Sequence, residues 1–232
     1  MKKSYPRLYL HSASVANLVM IICEVLCIDD TEQETLVVGA FLHDIGKMFI
    51  RRDMLEKPGS LTDSEWAEIK EHPRRGAFMI AVMGMDKDLV KMIRYHHEWW
   101  NGKGYEGLKG QEIPLYARII AVADAFDAMI SRRAYREAYK ICEAIEEIHR
   151  MAGIQFDPNL VAALAKDPFW QIYTYHSQNK LDRQVNHEKK RLKKLKNKYL
   201  SLSHPLVLAQ SQLIDCLLDG GPVKAGRVRT GK

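Results

Sequence analysis

Almost every segment of this 232-residue chain repeats its apolar residues at intervals of three and four, and no run alternates convincingly as a half-buried strand would. Ser12 to Leu26 shows the pattern through Val15, Leu18, Val19, Ile22 and Leu26. Asp30/Thr31 reads as the cap of a helix reaching His43, and TDSE (Thr62 to Glu65) has the capping-box pattern before a short helix ending near His72-Pro73. Further helices are predicted from Asp86 to His97, Pro114 to Ser131, Arg136 to Met151 and Pro158 to Lys166. Such a chain buries its apolar stripes by packing helix on helix, so the predicted fold class is all-α, a helical bundle.

Beyond about Pro168 the character changes. Residues 1–179 carry 22 Lys/Arg against 25 Asp/Glu, whereas Lys180 to Lys198 alone holds 9 basic and 2 acidic residues, so the net charge of +6 belongs to one segment and not to the whole chain. A basic helical stretch to Leu200, the turn Ser203-His204-Pro205 and a second helix to Asp219 predict a helical hairpin, stopped by Gly220-Gly221-Pro222. The expected division is a first domain over 1–170, the hairpin over 180–219 and a disordered tail over 220–232. KKRLKKLKNK has no interleaved aromatics, which argues against a nucleic-acid contact.

A hydrophobic content of 47% supports a real core, yet no apolar run is expected to reach the roughly 18 residues of a membrane span, and MKKSYPRLYLHSASVANL lacks the uninterrupted apolar stretch of a secretory signal. The expected location is the cytoplasm, away from membranes. Cys23, Cys27, Cys142 and Cys216 stand singly without a CxxC, which indicates neither a disulfide framework nor a zinc ribbon.

Five of the nine histidines, His11, His43, His72, His96 and His97, fall in or at the ends of predicted helices. Asp44 directly follows His43 in FLHDIGK. Asp124 lies in ARIIAVADAFDAM, whose apolar neighbours turn it toward the interior. A carboxylate buried without a partner is costly, so a base or a metal ion is expected beside it. Imidazole with carboxylate suits iron, manganese, zinc or nickel better than magnesium or calcium.

HSASVA, FLHDIGK, EHPRRG, HHEWWNGKGYEGLKG, IPLYARIIAVADAFDAM, SRRAYREA and GIQFDPNLV follow one another in an order and spacing that resembles the HD-GYP family over roughly Tyr9 to Ala165. That family is a branch of the HD metal-dependent phosphohydrolases and cleaves cyclic dinucleotides. The resemblance implies metal ligands at His11, His43, Asp44, His72, His96, His97 and Asp124, with Asp44 shared between two divalent ions, iron or manganese foremost. The adjacent His96 and His97 then serve one ion from a helix end, where the chain leaves helical geometry. Two cations roughly 3.5–4 Å apart hold a hydroxide for in-line attack on the phosphate, with no side-chain nucleophile. Lys47 matches a family lysine that stabilises developing charge. Tyr105 borders the substrate, and Arg133 and Arg136 match positions that hold the cyclic dinucleotide through bidentate hydrogen bonds.

Three departures accompany the match. The family loop GYPxG is here Gly104-Tyr105-Glu106-Gly107, one residue shorter and without proline, which brings flexibility and a negative charge beside a dianionic substrate. Arg7 stands where some members place a glutamate for a third metal, which predicts two metals. Ala134 replaces a proline between the two arginines.

LSHPLVLAQSQLID (Leu202 to Asp215) resembles the two-helix phosphatases of the master sporulation response regulator. Their Ser-Gln-x-x-Asp signature falls on Ser211, Gln212 and Asp215, with Leu213-Ile214 where Glu-Leu is usual. This implies a phosphorylated response regulator as partner, and leucine faces that can form a homodimer. The leading expectation is a cyclic di-GMP phosphodiesterase fused to this hairpin. Two alternatives are a nucleotide-binding module without turnover and an HD phosphohydrolase for another nucleotide.

Overall fold

A computed structural model of the chain describes residues 5–57, 59–131 and 138–166. Arg133, Arg136, the hairpin with Ser211, Gln212 and Asp215, and the tail lie outside the described residues. Within them the fold is all-α, with one isolated bridge between Ala152 and Phe156 in place of any strand.

Helix α1 (Pro6–Val25) starts with a proline in its first turn, where the missing N–H costs no hydrogen bond. It is long and apolar enough to cross a membrane by length and composition alone, which corrects the expectation that no run is long enough. Here Tyr9, Ala13, Val15, Leu18, Val19 and Ile22 are buried in the bundle. Helix α2 (Asp30–Leu42) is capped one residue earlier than the sequence suggests, by the Asp29 carboxylate accepting from the Thr31 and Glu32 N–H groups. A 3-10 turn (Ile45–Phe49) and the short α3 (Arg52–Leu55) come next.

Helix α4 (Asp63–Lys70) has the expected capping box, Thr62 and Glu65 pairing reciprocally at 2.8 and 3.3 Å. It ends at Lys70, near the expected boundary at His72-Pro73, but the chain starts another helix at once, which the sequence reading did not include. Pro73 sits in the first turn of a further helix, α5 (His72–Val82), because a proline there gives up only an N–H that has no intrahelical partner. Helix α6 (Lys87–Tyr95) is capped by Asp86 and stops one residue before His96. α7 (Leu115–Ile130), α8 (Ile141–Arg150) and α9 (Pro158–Lys166) complete the described bundle.

α1 packs on α2 and on α7, α2 on α6, and α5 on both α6 and the 3-10 turn. The central helix α7 buries Ala117, Ile119, Ile120, Val122, Ala123 and Phe126. These contacts bring α1, the ends of α2 and α6, the start of α5 and the middle of α7 around one interior point.

Candidate metal centre

Three histidines stand at helix boundaries, and the boundary fixes their protonation. His43 ends α2, His72 begins α5 and His96 ends α6. In each, Nδ1 pairs with the carbonyl three residues earlier: Ala40 at 2.7 Å, Ile69 at 2.6 Å and Ile93 at 2.8 Å. A carbonyl only accepts, so Nδ1 carries the proton and Nε2 presents a lone pair. All three Nε2 atoms, and Asp44 Oδ1, are buried without a hydrogen-bond partner. His72 Nε2 lies 3.0 Å from Asp44 Oδ1 without the alignment of a hydrogen bond. Lone pairs facing one another in the interior repel, and a shared cation is what resolves the arrangement.

Asp44 is the pivot. Its side chain is fully buried, Oδ1 facing His72 at 3.0 Å and His96 at 3.9 Å, and Oδ2 facing His43 at 3.4 Å and His11 at 3.6 Å. Two groups of convergent donor atoms result: Asp44 with His72, His96 and His97, and His11 with His43 and Asp124, each group's atoms within 4.8 Å of one another. The His96 and His97 rings are 4.0 Å apart, and the His72 and His97 rings 5.0 Å. All seven residues singled out in the sequence therefore meet in one cluster. The donor set is five imidazoles and two carboxylates, which fits borderline divalent ions.

His11 Nε2 lies 3.0 Å from Asp124 Oδ1, and its Nδ1 is 2.7 Å from Asp127 Oδ2. Asp127 is buried and also accepts from the Ser14 hydroxyl. This carboxylate was not read from the sequence; its signal was its place one turn after Asp124 on the same helix face.

The electrostatics reflect the geometry. Burial opposes the charge of Asp44 and of Asp124, but Lys47 and His43 around the first, and His11 around the second, keep both carboxyls well below their usual range. Burial, reinforced by the neighbouring imidazoles, pushes His96 down, and burial also lowers His97 to about 3. Burial would lower His11 too, yet Asp124 and Asp127 outweigh it and raise it to about 10. His96 and His97 thus stand neutral beside ionised Asp44 and Asp124, the states a metal requires, whereas His11 holds a proton that it must give up to ligate. Lys47 Nζ contacts Asp44 Oδ2 at 2.5 Å and keeps a quarter of its side chain exposed, on the same partly open rim as His11 and Asp124.

The loop after His97 is pinned rather than loose. Trp100 and Asn101 donate N–H groups to the Gln155 and Ile154 carbonyls, both at 3.0 Å. Buried Glu98 accepts the Glu106 N–H at 2.6 Å and the Leu108 N–H at 2.7 Å. A Cβ at Gly104 would lie 2.5 Å from Glu98 Cα, so only glycine lets the turn close this tightly. Tyr105 packs its ring 4.8 Å from that of His97, and burial lifts its phenol to about 12. Glu106 was expected to bring flexibility and a bare negative charge. Instead Arg74 takes its carboxylate at 2.6 and 3.0 Å and Arg94 at 3.4 Å, which holds its carboxyl at about 2. Arg7 is exposed one turn before His11.

A buried aspartate between two imidazole groups on an all-α frame defines a metal-binding HD-type bundle. The sequence matches the HD domain family over residues 1–160, and the chain belongs to that family. It is 37% identical over 157 residues to the cyclic di-GMP phosphodiesterase response regulator RpfG of Xanthomonas campestris, covering 66% of this chain and 41% of that protein. It is likewise 37% identical to the 3'3'-cGAMP-specific phosphodiesterase 3 of Vibrio cholerae, over 67% of this chain and 34% of the relative. The chain thus spans about two fifths or less of these relatives' length. Among solved structures, Bd1817, an HDG"Y"P protein from Bdellovibrio bacteriovorus, superposes with a TM-score of 0.57 at 24% identity, over 68% of this chain and 51% of that one, a likeness of fold.

Proposed function

We propose that residues 1–170 form an HD-GYP-type, metal-dependent phosphodiesterase acting on cyclic di-GMP or a related cyclic dinucleotide. The observation that carries this reading is the division of Asp44, whose two oxygens face separate groups of imidazole and carboxylate donors. His11, His43 and Asp124 would hold one divalent cation and His72, His96 and His97 the other, with Asp44 shared. We assign iron or manganese, and the same ligands accept zinc or nickel. Cations bound there supply Lewis-acid chemistry, acidifying a water toward a pKa of about 7 and offsetting phosphate charge.

The chain's own groups do the rest. The buried floor excludes bulk water, while His11, Lys47 and Asp124 at the rim stay open to a ligand. Lys47 carries the positive charge that stabilises an oxygen of the substrate phosphate. Tyr105 forms one wall. Arg133 and Arg136, outside the described residues, hold the dinucleotide. The relatives named above as phosphodiesterases of cyclic di-GMP and 3'3'-cGAMP support this substrate class.

Anaerobically purified protein with manganese or iron, incubated with cyclic di-GMP and with cyclic GMP-AMP, is expected to yield linear dinucleotide or mononucleotide. Asp44→Ala should abolish both bound metal and product. Tight nucleotide binding without product across several metals would assign a binding module in its place, and turnover of mononucleotides alone a different HD phosphohydrolase.

For residues 180–219 we propose an aspartyl-phosphatase-like hairpin that acts on a phosphorylated sporulation response regulator, with Asp215 the key group beside Ser211 and Gln212. The sequence motif supports it. Mixing with phosphorylated regulator should release its phosphate, and Asp215→Ala should stop this; an unchanged rate makes the motif structural only. Homodimerisation through the hairpin would be refuted by a monodisperse monomer at high micromolar concentration in light scattering. We place the protein in the cytoplasm, where the exposed thiols of Cys27 and Cys142 stay reduced.

A further inference from the structure

The shortened loop has no proline, yet the turn that carries Tyr105 is held at several points. Arg74 belongs to α5, two residues after His72, and Arg94 belongs to α6, two residues before His96. Both guanidinium groups present Nε and a terminal nitrogen to the one carboxylate of Glu106, Arg74 at 2.6 and 3.0 Å and Arg94 at 3.4 Å for each contact. A fork facing a carboxylate fixes orientation as well as distance, which a single contact does not. The carboxylate keeps 12% of its side-chain exposure although the arginines keep 52% and 45%, so the acid is drawn under the two cations. From below, Glu98 takes the N–H groups of Glu106 and Leu108. Tyr105, the residue just before Glu106, is left with its ring against His97 and under the Lys70 ammonium, 5.5 Å from the ring centre.

We propose that Glu106 is a positioning residue: its brace to Arg74 and Arg94 ties the loop to the two helices that deliver His72 and His96, and so fixes Tyr105 as a preset wall of the site. Elsewhere in such a turn a proline ring would supply stiffness. At position 106 it would remove the N–H that Glu98 accepts, leaving a buried carboxylate oxygen unsatisfied. Two arginines sharing one acid supply stiffness without losing that N–H. The brace acts on Tyr105 and on substrate fit, while the metal ligands keep their own anchors in the helix ends.

The test has two arms. Hydrogen exchange of the full-length, metal-free protein reads the loop directly: Glu106→Ala, and separately the Arg74→Ala/Arg94→Ala double variant, should speed exchange of the Leu108 amide and its loop neighbours by about tenfold while amides of α7 stay unchanged. Glu106→Gln keeps the shape and one fork contact, and should fall between wild type and Glu106→Ala. Unchanged loop exchange in all variants overturns the proposal, as does an equal acceleration throughout α5 to α7, which would signal general destabilisation. The kinetic arm rests on the phosphodiesterase reading. With metal content equal to wild type, Glu106→Ala should raise KM for the dinucleotide about two- to tenfold, the expected cost of re-ordering one side chain at each binding event, with kcat nearly unchanged. A fall in kcat at constant KM would overturn a positioning role. If wild type itself shows no turnover, the phosphodiesterase reading fails, and the exchange arm still decides the brace.

Discussion

His11 is gripped from both ends of its ring, and the second grip is the less obvious one. Asp127 lies on the same face of α7 as Asp124 but meets the far side of the ring, and with Nδ1–H bonded to it at 2.7 Å the ring can point only Nε2 at Asp124. Ser14, one turn further along α1, steadies the same carboxylate. An outer carboxylate of this kind orients a ligand and raises its basicity. Asp127→Ala should therefore weaken metal binding by about 10- to 100-fold, measured by competition with a chelator, with the helical content unchanged. The residue types of the ligands were legible because histidine and aspartate are conspicuous inside apolar helices. Asp127 was legible only in retrospect, since a second acid on a helix face has many roles and only its partner across the bundle chooses one.

At the scale of elements, the site depends on how closely the 3-10 turn after Asp44 approaches the start of α5. A Cβ on Gly46 would lie 1.9 Å from the His72 carbonyl oxygen and 2.7 Å from the Gly76 nitrogen. Backbone therefore meets backbone at the point where Asp44 faces His72. Gly46→Ala is expected to push these elements apart, with a loss of about 1–3 kcal/mol in urea unfolding and a parallel fall in bound metal. The helices themselves were largely readable from periodicity and caps, as at Thr62 and Asp86. The start of α5 was not, because a proline reads equally as a helix stop or as a first-turn residue, and only the packing of the next turn against its neighbours decides between them.

For the whole molecule, the depressed and raised imidazoles set opposite pH slopes in the metal-free protein. His97, held at about 3, and His96, also lowered, bind protons less readily folded than unfolded, so stability falls as pH drops from about 6.5 toward 3. His11, raised to about 10, contributes stability that is complete below about 6.5 and is lost as pH climbs toward that value. Thermal midpoints of chelated protein should therefore peak near neutrality and decline on both sides, and manganese should flatten the alkaline decline, since His11 must be neutral to ligate. A chelated protein with no alkaline decline would contradict this. Sequence alone determined the all-α class, the family and which histidines and aspartates would gather in the interior, because periodicity and residue type are local properties. Only the tertiary structure decided that Asp44 divides its oxygens between two ligand groups, that Asp127 backs His11 and that Glu106 is an internal partner rather than a free charge. Each of these depends on distances between segments far apart in the chain, which no local pattern encodes.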